Sequence, residues 1–310
     1  MDLRQLRSFL QIVETQSFSK AATLSRISQP ALSRQVRMLE EELGVSLLYR
    51  NGRGVAPTPA GKVLTDWAQR VLQTVQAARD AVRTFEAEPS GSLSFGTPSS
   101  LGIVLTPLVG LAFGRQYPRV RLHLVEGLSG LIHEWILGGR LDMAILYDMP
   151  VMGHLVAMPL LEESMVVVGP PNRFTAGEAL SPEIVVDLPL VLPARPHRLR
   201  LLVDGMAAAL GRDLDPMLEI DALPALLEVV RNSGLYTILP CSSVEALVRR
   251  NELSVATLEA PQATRRLSLA WPTDRPLSPA GLALQRLVIT LVRDHADRFG
   301  WRPLAKPLRP

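Results

Sequence analysis

The sequence has little of what marks secreted, membrane or multi-cysteine metal proteins. Cys241 is the only cysteine among 310 residues. One cysteine excludes an intramolecular disulfide, which fits a reducing compartment, and we expect it to be a small buried residue. No run approaches the roughly eighteen apolar residues that a membrane helix needs, and Arg4, Arg7 and Glu14 interrupt the N-terminal segment. These absences predict a cytoplasmic protein without a membrane span.

An excess of charge of one sign is also missing. The chain has 33 basic and 30 acidic residues, so its net charge of +3 favours anionic partners only weakly. Apolar residues make up 47% of the chain, enough for the cores of two or three packed units. We find neither internal repeats nor low-complexity segments, so the distribution of residues along the chain carries the information.

Three short helices are predicted at the start of the chain. Apolar residues between Leu3 and Val13 recur at helical spacing, and Ser17 or Ser19 can cap a second helix. Ser28 is a suitable N-cap for a third helix, which Gly44 ends. The predicted shape is helix, short turn, helix.

The third helix has a polar first half that core packing does not explain. Arg34 could pair with guanine O6 and N7, and Gln29 with adenine, if this end entered a DNA major groove. Ser33 could contact either base, and Pro30 or Ala31 a thymine methyl group. A solvated helix face is the alternative. The DNA contacts predicted from these helices, with Ser19, Lys20 and Arg37 on phosphates, are Ser19, Lys20, Ser28, Gln29, Pro30, Ala31, Ser33, Arg34 and Arg37.

A hairpin is predicted after the third helix, in "SLLYRNGRGVAPTPAGK". Apolar residues alternate on both sides of a turn at Asn51-Gly52. Arg50 and Arg53 lie near its tip, where a guanidinium could enter a minor groove or hold a phosphate. Thr58 then caps a new helix with Pro59 at its first position.

This fourth helix carries an apolar stripe with alternating spacings of four and three residues, as in a coiled coil. A single chain offers no second helix of this kind, so we infer a homodimer that sets two reading helices at a fixed separation. Packing of the stripe against the chain's own domain is the alternative. The stripe consists of Leu64, Ala68, Val71, Val75, Ala78, Val82 and Phe85.

Residues 88–310 predict a different architecture. After a joint at "EPSGS", short apolar strands alternate with helical patterns, which indicates α/β units with a largely parallel sheet. A second set of strands begins near "ESMVVVG". The strand "RRLSLAWP" and a long helix from about Ser278 to His295 have no place in that set. Two sheets joined by crossing strands would accommodate them.

Three segments combine a predicted strand end with a helix start: "GTPSSLG", "EGLSG" and "PARPHRLR". Ligands of open α/β sheets bind beyond the carboxyl ends of strands, and helix N-termini favour carboxylates. We therefore expect a small organic anion in an interlobe cleft. The alternatives are ordinary helix-capping serines and a loop histidine. The predicted effector contacts are Ser99, Ser100, Leu128, Ser129, Arg195 and His197.

Enzyme motifs are not found. The five histidines lack close metal-ligand spacing, and there is no phosphate-binding loop, dinucleotide fingerprint or nucleophile elbow. We expect no enzyme activity, no metal and no cofactor. An enzyme with a DNA-binding head and an architectural DNA-binding protein without a ligand are the alternatives.

The segments "FSKAA", "SQPALSRQ", "LEEELGVSLL" and "TPAG" occur together and in order within the first sixty residues. In this the sequence resembles the winged helix-turn-helix of LysR-type transcriptional regulators. The resemblance implies that Gln29, Pro30, Ser33 and Arg34 face bases and that a linker helix for dimerisation follows Thr58. It also implies four chains per assembly.

The resemblance further implies an effector domain similar to the periplasmic binding proteins, whose C-terminal segment returns to the first lobe. The expected fold is α/β overall, with a winged helix-turn-helix at 1–58, a linker helix at 59–87 and an effector domain at 88–310. Lobe 1 would span about 88–160 and 269–310, and lobe 2 about 161–268. The expected partners are dyad-symmetric duplex DNA of the nucleoid and a small carboxylate, with RNA polymerase left open. Effector binding would change lobe geometry and thereby the spacing and bending of DNA.

Overall fold

The chain divides into two compact units, and each has its own core. The computed structural model describes residues 1–51, 54–83, 89–147, 153–259 and 264–305. The first unit comprises Met1–Ala87 with Leu137–Arg140, and the second comprises Glu88–Ile136 with Leu141–Pro310. No helix in the described ranges is long and apolar enough to cross a membrane.

The first unit contains the predicted helices and hairpin. The side chain of Ser28 accepts a hydrogen bond from the backbone N–H of Ala31, and Gly44 ends the third helix in a left-handed conformation at φ 69°. Both predicted ends of that helix are therefore confirmed. Helices α1 to α3 enclose a core that includes Phe9 and Leu32. The elements are α1 (Leu3–Thr15), α2 (Phe18–Ser25), α3 (Gln29–Leu43), β1 (Leu48–Asn51), β2 (Gly54–Pro57) and α4 (Pro59–Arg83).

The start of α4 is fixed against the loop before β1. Thr58 caps the helix as predicted, because its hydroxyl accepts a hydrogen bond from the N–H of Gly61 at 3.0 Å and donates one to the carbonyl of Ser46 at 2.8 Å. A Cβ atom on Gly61 would lie 2.1 Å from the carbonyl oxygen of Leu47. The segment "TPAG" thus holds the start of α4 against the loop before β1, and its last position requires glycine.

The second unit alternates strands and helices, as predicted. Its first part consists of β3 (Gly91–Pro98), α5 (Ser99–Gln116), β4 (Val120–Gly127), α6 (Ser129–Leu137) and β5 (Met143–Tyr147). Its second part consists of β6 (Leu155–Gly169), β7 (Ala179–Leu180), α7 (Pro182–Val186), β8 (Val191–Leu192), α8 (Arg198–Ala209), β9 (Leu218–Glu219), α9 (Leu223–Asn232), β10 (Thr237–Pro240), α10 (Cys241–Arg249), β11 (Ser254–Leu258), β12 (Thr264–Pro272), α11 (Pro279–Asp294), α12 (Ala296–Phe299) and β13 (Trp301–Pro303).

Long strands β6 and β12 connect the two parts of this unit. Strand β3 pairs in parallel with β4 and β5, whereas β12 is antiparallel to both β5 and β6. Strands β10, β11 and β13 also pair antiparallel with β6. The expectation of a largely parallel sheet is therefore wrong around β6, because the crossing strands return in the opposite direction. The crossing strands themselves are confirmed.

Two hydrophobic cores meet along β6. Leu160 and Leu161 belong to the first core, and Met165 begins the stretch that belongs to the second. Helix α11 and Trp301 pack in the first core, as the resemblance implied for the end of the chain. Between the two stretches of β6 lies Glu163, a buried carboxylate.

Candidate functional site

The amino-terminal half of α3 presents polar groups to solvent. Gln29, Pro30, Arg34 and Arg37 are exposed, and Ala31 and Ser33 are half-buried. On the opposite face, Leu32, Val36 and Leu39 are fully buried in the core of the unit. The helix is therefore held by one side while its first two turns are free to contact a partner.

Ser19 links α2 to the start of α3. Its hydroxyl donates a hydrogen bond to the amide oxygen of Gln29 at 3.0 Å. This bond orients the amide and leaves its NH₂ group at an exposed position. We predicted a phosphate contact for Ser19 and Lys20; both are exposed, and in the structure Ser19 also positions the Gln29 side chain.

The hairpin forms in the predicted register. Strands β1 and β2 pair antiparallel, with Arg50 opposite Val55. Arg53 lies outside the described residues, and for Arg50 the structure describes the backbone alone. The groove contacts of these two arginines stay predictions.

Helix α4 corrects part of the predicted dimer stripe. Leu64 packs against the core of the first unit, and Ala68 is 1% exposed within the single chain. Packing within the chain's own domain therefore holds for Leu64, and Ala68 is already buried without a second chain. Val71 is exposed and Val75 half-buried; the side chains of Ala78 and Val82 and all of Phe85 lie outside what the structure describes.

A different set of apolar residues on α4 is exposed. Val63, Trp67 and Val71 follow one another at four-residue spacing and are 61%, 58% and 36% exposed. The guanidinium carbon of Arg70 lies 5.1 Å from the centroid of the Trp67 ring. This stripe shares Val71 with the predicted one and otherwise lies one residue earlier along the helix.

Five of the six predicted effector residues line one cavity of about 40 Å³ in the second unit. Arg195 does not reach it, because its side chain is exposed and bound to Asp204 at 2.6 Å. The prediction for Arg195 is therefore corrected. The lining consists of Pro98, Ser99, Ser100, Gly127, Leu128, Ser129, Tyr147, Pro193, His197, Leu199, Asp221, Leu223, Leu226, Leu239 and Arg265.

The cavity receives the N-terminus of α5. Pro98 stands at the N-cap position and makes no side-chain cap hydrogen bond. The first turn of a helix has backbone N–H groups without partners inside the helix, and the positive end of the helix dipole lies there. Ser99 and Ser100 are the first residues of this helix and line the cavity. An anion at this position would accept those hydrogen bonds.

Arg265 is the principal residue that sequence reasoning missed. Its guanidinium donates to the hydroxyl of Ser100 at 2.9 Å and to the carboxylate of Glu163 at 2.7 Å. It also lies 3.9 Å from the centroid of the Tyr147 ring. One signal could have identified it: in "RRLSLAWP" Arg265 shares the alternating face of the buried residues Leu267 and Leu269.

Further hydrogen bonds join this group to neighbouring helices. Ser242 donates to Glu163 at 3.0 Å, and Ser243 donates to the backbone carbonyl of Ser100 at 2.8 Å. The hydroxyl groups of Ser100 and Tyr147 lie 2.7 Å apart. Hydrogen bonds at the floor of the cavity thus connect α5, α10, β5, β6 and β12.

His197 caps α8 and faces the cavity. Its Nδ1 atom accepts a hydrogen bond from the N–H of Leu199 at 3.1 Å, which places the ring hydrogen of the neutral form on Nε2. Burial lowers the pKa of His197, the charge of Arg265 lowers it further, and Asp221 acts in the opposite direction. His197 therefore offers the cavity a neutral N–H donor at neutral pH.

A second and larger space adjoins the first. It has a volume of about 250 Å³ and shares Tyr147, Leu199 and Arg265 with the smaller cavity. Arg198, Leu201 and Leu202 complete its lining. In the described ranges, no group of three or more His, Cys, Asp or Glu side chains is placed to hold a metal ion.

Comparison with known proteins assigns both parts of the chain. Residues 3–62 match the model of the bacterial regulatory helix-turn-helix protein, lysR family, and residues 86–296 match the LysR substrate binding domain. The chain belongs to the LysR family. This confirms the resemblance read from the first sixty residues and extends it over most of the chain.

Similar proteins include other regulators. The nitrogen assimilation regulatory protein nac of Klebsiella aerogenes is 30% identical over 94% of this chain and 95% of its own length. The regulator BbuR of Bordetella bronchiseptica is 32% identical over 83% and 80%. Among solved structures, full-length OxyR of Pseudomonas aeruginosa superposes with a TM-score of 0.76 at 25% identity, covering 94% of this chain and 95% of its own.

These similarities establish the general function. The protein is a DNA-binding transcriptional regulator with an effector-binding domain. CbnR, solved in complex with its target DNA, has the same fold, with a TM-score of 0.69 at 22% identity over 93% of this chain and 99% of its own. The compared relatives are transcriptional regulators.

Proposed function

We propose that the protein reads a dyad-symmetric duplex through the first two turns of α3, one helix from each protomer of a homodimer. The observation that carries this proposal is the contrast between the two faces of α3. Arg34 is exposed while Leu32 and Val36 are fully buried. Arginine pairs with two acceptors of guanine in the major groove, and Gln29, oriented by Ser19, suits adenine. A protein with such a target would act at the nucleoid, in the cytoplasm.

The dimer would form through the exposed stripe of α4. This stripe consists of large apolar side chains that stay exposed in the single chain, namely Val63, Trp67 and Val71. Burial of large apolar side chains is the main favourable contribution to association, and tryptophan is frequent at the centre of interfaces. Pairing of two such helices holds two copies of α3 at a fixed separation, which selects the spacing of the DNA half-sites. A tetramer would double this arrangement.

A small organic anion in the 40 Å³ cavity would be the effector. The uncapped start of α5 supplies backbone donors, and Ser100, Ser129 and His197 supply side-chain donors around the same space. Because Arg265 joins this space to the crossing strands β6 and β12, an effector that binds one lobe geometry more tightly than another would shift the population of that geometry. The shift would reach DNA as a change in the spacing and bending of the bound half-sites. RNA polymerase would then respond to the altered complex.

Three other roles are less well supported. An architectural protein would have no use for a cavity at which helix starts, serines and Arg265 converge, and we propose no enzyme activity for this chain. Response to peroxide is described for some relatives, which are named hydrogen peroxide-inducible genes activators and are 28% and 27% identical to this chain. Here Cys241 is the only cysteine, and burial raises its pKa. The reactive thiolate is therefore scarce and has no second thiol in the chain with which to form a disulfide.

Selection of duplexes from a random pool by the full-length protein, at low and at high salt, tests the proposal. We expect enrichment of one dyad-symmetric sequence with half-sites separated by about one helical turn or a multiple of it. Its affinity should fall as salt rises, since bound phosphates release counterions. Recovery of sequences without dyad symmetry would reject the proposal.

A further inference from the structure

A carboxylate lies in the effector cavity, opposite in sign to the helix N-termini there. Asp221 lines the cavity and lies in the segment between β9 and α9. Its Oδ1 atom accepts a hydrogen bond from the backbone N–H of Ala194 at 2.9 Å. None of the ion pairs found in the described ranges includes Asp221.

The other ionisable groups of the lining leave this charge uncompensated. Arg265 is bound to Glu163 at 2.6 Å, so that the two buried charges largely cancel. His197 is neutral at neutral pH, because burial and the nearby Arg265 lower its pKa. Within the lining that the structure describes, Asp221 is therefore the one carboxylate without a cationic side-chain partner.

The topology places unlike charges on different elements of the cavity. Strands β3 and β4 are parallel, and both end at the cavity, where α5 and α6 begin with Ser99 and Ser129. Strands β8 and β9 form a second parallel pair, and the segments after them supply His197 and Asp221. Helices also begin after the second pair, α8 with His197 at its N-cap and α9 with Ala222 at its N-cap. Asp221, immediately before α9, adds a carboxylate to that side of the cavity only.

A plain anion would gain from the first pair and be repelled by Asp221. Asp221 is exposed, so solvent screens part of this repulsion, but a second carboxylate placed beside it is still disfavoured. A ligand with an anionic group and a cationic group a few bonds apart meets complementary charges on both sides. The cavity volume of about 40 Å³ limits the ligand to a small molecule.

We propose that the effector is a small zwitterion of the amino-acid class. Its carboxylate would bind the N–H groups at the starts of α5 and α6 with the hydroxyls of Ser100 and Ser129, and its ammonium group would bind Asp221. This proposal rests on the proposed function of the cavity as an effector site and specifies the ligand's chemistry. His197 would donate its Nε2 hydrogen to the same carboxylate.

The test compares matched pairs of ligands on the full-length protein. Each standard amino acid is paired with the carboxylic acid of the same skeleton without the amine, such as L-alanine with propionate and L-leucine with 4-methylpentanoate. Thermal unfolding and titration calorimetry measure binding, since a ligand bound only by the native state raises its apparent stability. At least one amino acid should bind about tenfold or more tightly than its partner without the amine.

Two variants make the test specific to the carboxylate. Asp221→Asn should lower the affinity for the amino acid by about tenfold or more. The affinity for the plain acid should stay equal or rise. Asp215→Asn removes an exposed carboxylate outside the lining and should change neither ligand. Equal binding within every pair, unchanged binding in Asp221→Asn, or binding of no amino acid at all would each overturn the proposal.

Operator binding distinguishes this failure from failure of the proposed function. If plain acids bind the cavity and change the affinity or footprint on the selected duplex, the anion-effector function stands and the ammonium contact is wrong. If neither class of ligand changes the complex with DNA, the effector role of the cavity fails as well.

Discussion

Arg265 and Glu163 face each other across β12 and β6, with 2.7 Å between Nε and Oε1 and with side chains that are 6% and 1% exposed. The pair lies where the first hydrophobic core gives way to the second along β6. Arg265 also donates a hydrogen bond to the hydroxyl of Ser100, and Glu163 also accepts one from the hydroxyl of Ser242. A polar group of this kind ties the effector cavity to the strands that join the two lobes.

Removal of one member of this pair should destabilise the second unit strongly. Glu163→Gln leaves the buried guanidinium without a counter-charge, and we expect a loss of about 3–5 kcal/mol in the free energy of unfolding. The double variant Arg265→Met/Glu163→Met removes both charges and should lose much less. Urea denaturation of the full-length protein followed by circular dichroism measures both. A loss within about 1 kcal/mol for Glu163→Gln would mean that the pair is not the buried, mutually dependent unit described here.

Gly61→Ala tests the docking of α4 on the loop before β1. The added Cβ would overlap the carbonyl oxygen of Leu47, a backbone atom that cannot move aside cheaply. We expect a loss of about 1–3 kcal/mol, as for an overpacked core position. Gly205→Ala is the matched control, because a Cβ at this exposed position within α8 meets nothing within 4 Å. The control should gain about 0.5–1 kcal/mol from better helix propensity. Similar effects of the two variants would contradict the close contact at Gly61.

His197 should make the protein sensitive to mild acid. Its pKa is lower in the folded protein than the ordinary value of 6.5, so the unfolded chain binds more protons in the window between the two values. The corresponding stability is present above the ordinary value and is lost as pH falls through the folded-state pKa. His197→Asn keeps an N-cap acceptor for Leu199 and removes the titration. We expect the stability of the variant to fall less than that of the wild type between about pH 7 and pH 5. Parallel curves for the two proteins would be inconsistent with this role.

Trp67→Glu should prevent the pairing of two chains through α4. A charge in the middle of the exposed stripe of α4 cannot be buried without a partner. We expect the mass of the assembly, measured by light scattering, to halve, and affinity for the dyad-symmetric duplex to fall. Leu24→Glu changes another exposed apolar residue of the first unit and should leave the mass unchanged. An unaltered mass for Trp67→Glu would place the dimer contact elsewhere.

Local signals predicted much of this structure from the sequence. Ser28 and Gly44 bound α3, and Thr58 with Pro59 begins α4, because caps act within a few residues of their helix. The serines at the starts of α5 and α6 were found by the same logic. Each of these assignments depends on neighbours in sequence alone.

The errors concern contacts between distant or displaced residues. The hydrogen bond between Arg265 and Glu163 joins residues 102 positions apart, and its formation depends on the pairing of β12 with β6. Arg195 was assigned to the cavity, but Asp204 on α8 binds its side chain outside. Asp221 follows a strand of two residues, which is too short to give a sequence pattern.

The stripe on α4 shows how a shift of one residue changes the interpretation of a helix. The four-three pattern beginning at Leu64 is real, yet its first residues pack within the chain's own unit. A continuous helix offers more than one apolar face, and periodicity alone does not say which face a neighbouring element covers. The exposed face at Val63 and Trp67 became apparent only with α1 to α3 in place.

The effect of Arg34→Ala on sequence discrimination tests the central claim most directly. The affinity of the full-length protein is measured for the selected duplex and for variants with single base pairs replaced. We predict that Arg34→Ala lowers discrimination at one base pair in each half-site by about 1–3 kcal/mol. Arg37→Ala is the control on the same helix and should weaken binding to all duplexes alike. It should also reduce the slope of log affinity against log salt concentration by about one. Unchanged discrimination by Arg34→Ala at every position would contradict the claim that the first two turns of α3 read DNA sequence.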